Sequence, residues 1–61
     1  MQAIRDRDNR VIGYLDMRGD RTFVRDANNN LLGWADRTGT YDKFGRKLLN
    51  SSVPSLLLKE Q

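Results

Sequence analysis

Asp6-Arg7-Asp8-Asn9-Arg10-Val11-Ile12-Gly13-Tyr14-Leu15-Asp16 returns without a gap as Asp26-Ala27-Asn28-Asn29-Asn30-Leu31-Leu32-Gly33-Trp34-Ala35-Asp36. Each copy opens on Asp-x-x-Asn, continues through two aliphatic residues and a Gly-aromatic pair, and closes on a further Asp. An Asp at the first position of a type I turn accepts backbone N–H groups, and Asn or Gly three residues later tolerates the left-handed conformation. The signature recurs as Asp16-x-x-Gly19, Asp36-x-x-Gly39 and Asp42-x-x-Gly45; four starts lie ten residues apart and the last follows after six. The turn residues are then Asn9, Gly19, Asn29, Gly39 and Gly45. Turns so closely spaced leave room only for short antiparallel strands. The chain reads as all-β, an antiparallel meander of short hairpins with internal pseudo-repeats.

Between the turns lie candidate strands near 1–5, 10–15, 20–25 and 30–35, a very short one at 40–41 and one starting at 46. Residues 42–50 form a decayed third copy that keeps the turn and a leucine but loses the Gly-aromatic pair. Pairing each turn Asp with the residue four later fixes a register by counting outward. Ile4 then faces Ile12, Ile12 faces Val24, and Val24 faces Leu32, with Gln2, Tyr14, Thr22 and Trp34 in a second row. Alternation of side chains puts both rows on one side of the sheet. The expected core is Ile4, Ile12, Tyr14, Val24, Leu32 and Trp34. The other side carries Phe23 between Gly13 and Gly33, where a ring covers bare backbone, beside Arg5, Arg21 and Arg25. Those three arginines with Phe23 are the candidate interaction face.

Composition changes after residue 50. Residues 1–50 form the hairpin domain and residues 51–61 a tail, irregular or briefly helical around Pro54. Leu56, Leu57 and Leu58 are expected to cover the core face of the same or a neighbouring chain, since each buried leucine contributes about 1.5–3 kcal/mol. Sixty-one residues without Cys or His have neither disulfides nor the usual zinc ligands to add stability. A partner subunit is the stabiliser left open. Eleven basic residues against eight acidic ones give a net charge of +3, and the charges are interspersed as on a solvated surface. No signal peptide is visible, which favours the cytoplasm. The longest apolar run, Leu56-Leu57-Leu58, is far short of the roughly 20 residues of a membrane span.

The repeats at 6–16 and 26–36 resemble the small bacterial β-flower proteins, in which two-stranded hairpins are arranged around a pseudo-symmetry axis. The resemblance covers about residues 3–49 and implies a β-flower or a small open, barrel-like sheet. The segment from Tyr41 to Leu48 is also similar to the Tyr-Asp repeats of large toxin shells. Neither family implies a catalytic site.

The residues themselves offer none. Asp6-x-Asp8 and Asp26-x-Asn28 begin like a calcium loop, but Arg10 stands at a ligand position and the twelfth-position Glu is replaced by Met17 and Arg37. Hydrolytic work needs paired carboxylates or a nucleophile with its base, and Ser51, Ser52 and Ser55 have no His to activate them. No catalytic residue, metal site or cofactor is expected. The leading expectation is a structural or protein-interaction module that self-associates or meets a partner protein. The alternative is a weak binder of an anionic polymer such as single-stranded nucleic acid, through Arg5, Arg21, Arg25 and Phe23.

Overall fold

The computed structural model describes residues 1–58. Six antiparallel strands, β1 (Gln2–Arg5), β2 (Val11–Arg18), β3 (Arg21–Asp26), β4 (Leu31–Asp36), β5 (Gly39–Asp42) and β6 (Lys47–Leu49), form one open sheet in sequence order. A single 3-10 turn, Pro54–Leu58, follows them. Of the tail expected over 51–61, residues 59–61 lie outside the described residues.

The five Asp signatures resolve into two kinds of turn. At Asp6, Asp26 and Asp42 the Asp N–H donates to the carbonyl four residues later at 2.9 Å in all three turns, and its own carbonyl accepts the N–H of the third residue at 3.0 Å. One oxygen of each carboxylate accepts two more amides, those of Asp8 and Arg10, Asn28 and Asn30, or Phe44 and Arg46. Asn9, Asn29 and Gly45 take φ of 66°, 70° and 85° there. The other two connections are two-residue loops, because Arg18 pairs with Arg21 and Asp36 with Gly39. Gly19 has φ 62° at the first loop position, which a type II′ hairpin requires. Asp16 is not a turn residue: it lies inside β2 and its carboxylate takes the Arg18 guanidinium at 3.0 Å.

A bulge follows each long turn. Arg5 pairs with Val11 but Ile4 with Gly13, Arg25 with Leu31 but Val24 with Gly33, and Tyr41 with Lys47 but Thr40 with Leu49. One extra residue is inserted each time, at Ile12, Leu32 and Leu48. Because side chains alternate with period two, a one-residue slip turns the rest of the strand over. The two-residue loop after β2 and the bulge after β3 together correct the expected register. Val24 faces Leu15 and Gly33 rather than Ile12 and Leu32, and Tyr14 and Trp34 sit on the side opposite Val24.

The core lies on the Val24 side. Val24, Leu57 and Leu58 are buried together, with Ile4, Leu15 and Leu32 packed against them. The leucines of the 3-10 turn come over the two strand glycines. A Cβ on Gly13 would lie 2.5 Å from both the Arg25 carbonyl and Leu58 Cδ2, and one on Gly33 would strike the Tyr41 carbonyl and come within 3.0 Å of Leu57 Cδ1. The glycines are thus covered by backbone and by the tail, not by Phe23 as expected. Thr40, fully buried, ties the tail down: its hydroxyl donates to the Ser51 carbonyl at 2.8 Å and accepts the Val53 N–H at 2.8 Å.

Candidate functional site

With the tail on one face, the sheet's other face is open. Across it runs a cross-strand row, Asp16, Phe23, Trp34, Tyr41 and Lys47, in which each residue is the register partner of the next. Neighbouring strands lie about 4.8 Å apart, so the three aromatic residues are immediate cross-strand neighbours in one stripe. Trp34 and Tyr41 are stacked, with centroids 5.6 Å apart and planes inclined by 20°. The Arg21 guanidinium carbon lies 6.0 Å from the Phe23 centroid and 5.7 Å from that of Trp34, and Lys47 Nζ lies 5.9 Å from the Tyr41 ring. Cations over ring faces at this range are held by the ring quadrupole.

The residues expected at an interaction face divide between two tasks. Arg21 and Phe23 belong to the stripe. Arg5 and Arg25 are equivalent positions of the first two hairpins, and each reaches back to its own turn, Nη1 donating to the Asn9 carbonyl at 2.9 Å and to the Asn29 carbonyl at 3.4 Å. Tyr14, the register partner of Arg25, shares this open face. Of the six residues expected in the core, Val24 is buried, Ile4 and Leu32 pack against it, Ile12 is half-buried in the first bulge, and Tyr14 and Trp34 stand half-buried on the open face.

Counting from turns put Trp34 on the other face because it passed over the second bulge, and it did not place Tyr41 because the β4–β5 loop closes over two residues. One signal was present. Gly13 and Gly33 follow the doubled aliphatic residues inside a strand pattern, and a glycine there marks a bulge or close backbone approach.

Beside the stripe the two short loops meet. Arg18, Asp20, Arg21, Asp36, Arg37 and Thr38 line an open recess of about 340 Å³. Arg21 Nε stands 3.9 Å from Asp36 and Arg37 Nη2 stands 3.6 Å from Asp20. The Asp36 carboxyl is held below its ordinary range, first by the Thr38 hydroxyl, which donates to it at 2.6 Å, and then by the Thr38 amide. The same Thr38 hydroxyl is 2.8 Å from the Tyr41 phenol, which joins the recess to the stripe.

Farther along, Phe44 projects from the β5–β6 turn, 73% exposed, with Lys43 Nζ and the Arg46 guanidinium carbon 5.4 and 5.6 Å from its ring. Among the described residues no helix is long and apolar enough to cross a membrane. Comparison with family models, curated proteins and solved structures brought no match for this chain.

Proposed function

We propose that this chain is a non-catalytic binding module that lays a single-stranded nucleic acid along the open face of its sheet. The observation that carries the reading is the Phe23–Trp34–Tyr41 row, with Arg21 and Lys47 over its rings. Bases stack on aromatic rings or guanidinium planes whatever their sequence, while the cations neutralise phosphates. The net charge of +3 favours an anionic partner. Three adjacent rings suit two or three bases, the number read by other sheet platforms.

Fluorescence anisotropy of a labelled oligothymidylate, followed together with the emission of the single tryptophan, tests this. Binding is expected to weaken with salt and to quench Trp34. Arg21→Gln is expected to reduce the salt slope by about one. Absence of binding at low salt would remove the reading. Heparin binding equal to that of the oligonucleotide, with Trp34 emission unchanged, would replace it with plain polyanion attraction.

A second reading, self-association, is favoured by the sheet edges β1 and β6, which have no further strand beside them among the described residues, since open edges are templates for another chain. Three hairpins with the same turn and bulge also support the likeness to β-flower proteins. Light scattering coupled to size exclusion checks this reading: a strictly monomeric, cooperatively folded species at micromolar concentration would sink it.

A further inference from the structure

We infer that the recess between the two short loops takes a phosphomonoester, the phosphorylated end of the strand held on the adjoining stripe. The inference rests on the nucleic-acid reading above. Three guanidiniums, those of Arg18, Arg21 and Arg37, face two carboxylates, those of Asp20 and Asp36, across the recess, and Asp16 beside it balances the third. The pairings are loose where they cross the recess. Arg37 and Asp20 meet at 3.6 Å with side chains 86% and 78% exposed, and Arg21 and Asp36 at 3.9 Å. Arg18 is held closer, at 3.0 Å, but by Asp16, which is outside the lining.

Exposed pairs of this kind contribute little. A terminal phosphate carries about −1.5 to −2 charges and three strong acceptor oxygens, against one charge on each competing carboxylate. Guanidiniums present planar, paired donors that match it. An internal phosphodiester has only one charge and two flanking sugars; the recess flanks the row on the side of the two short loops, and it is the second charge that favours the monoester.

The recess is also physically continuous with the stripe. Arg21 lines the recess and at the same time lies over Phe23 and Trp34. Thr38 lines it and reaches the Tyr41 phenol. A strand that ends on the row beside Arg21 therefore turns its terminal phosphate toward the recess that Arg37 and Arg18 line. Phe44, at the tip of the β5–β6 turn, is not part of this lining.

The test compares a labelled twelve-nucleotide oligothymidylate with a 5′-phosphate, a 3′-phosphate or hydroxyls at both ends, by anisotropy at low salt. Phosphate at one end is expected to tighten binding about tenfold, the size of one charge-assisted hydrogen bond. Arg37→Gln is expected to abolish that gain and leave the hydroxyl-ended strand bound as before. Equal affinity for all three strands overturns the recess assignment while the stripe reading stands. If no strand binds, both fall. Thymidine monophosphate competing as well as the phosphorylated strand overturns the strand-end assignment in favour of a free nucleotide.

Discussion

Asn29 holds φ at 70° in the turn that closes the second hairpin, a conformation that glycine adopts freely and β-branched residues resist. Asn29→Gly is expected to be neutral or slightly stabilising, and Asn29→Val to cost about 1–3 kcal/mol in chemical denaturation. Equal stability of the two variants would contradict the role of this position. The carboxylates of the same turns set an acid limit. Asp26 is held below the ordinary value of 3.8 first by the Asn30 amide, and Asp42 first by the Arg46 amide, while burial opposes both. A depressed folded-state pKa contributes stability that is complete above the unfolded value and is lost as pH falls through the folded one. Stability is therefore expected to be level above about pH 5 and to decline below 3.8. Asp26→Asn is expected to flatten that decline in a pH series of thermal melts.

At the scale of elements, the 3-10 turn is what closes the core. Leu58 is 6% exposed against Val24 and over Gly13. Leu58→Ala removes about 2–5 kcal/mol, a large part of what a domain of this size has in total; circular dichroism is expected to show an unfolded or partly folded chain. Trp34→Ala, on the open face, is expected to be milder and to impair oligonucleotide binding instead. Reversal of that order would return Trp34 to the core.

The three hairpins superimpose in pattern as well as in turn chemistry. Gly13 pairs with Asp26 and Tyr14 with Arg25, as Gly33 pairs with Asp42 and Trp34 with Tyr41. In the third hairpin the glycine position is Leu49. A seventh strand in the same register would meet its side chain where Gly13 and Gly33 admit a carbonyl. Leu49→Gly is accordingly expected to raise the mass measured by light scattering as chain concentration increases.

For the whole molecule, 32 × 23 × 18 Å in extent, the consequence of this arrangement is two unlike faces. One is closed by the chain's own leucines and the other carries the rings and cations. The expectation of a neighbour rested on the apolar row from Ile4 to Leu32, the leucine tail and the shortness of the chain. Leu57 and Leu58 of the same chain lie on that face, against Val24, Ile4, Leu15 and Leu32.

The sequence by itself determined the strands, the three long turns and the all-β class, because Asp, Asn and Gly act on their own backbone within four residues. It also marked the leucines of the tail as buried. Which residues share a face was decided only in the tertiary structure. That depends on whether a turn closes over two residues or more and on a single inserted residue after each long turn, and each such change turns over every side chain beyond it. The repeated Gly-aromatic pair thus carried the fold plainly, while its bulge concealed the side to which the aromatic points.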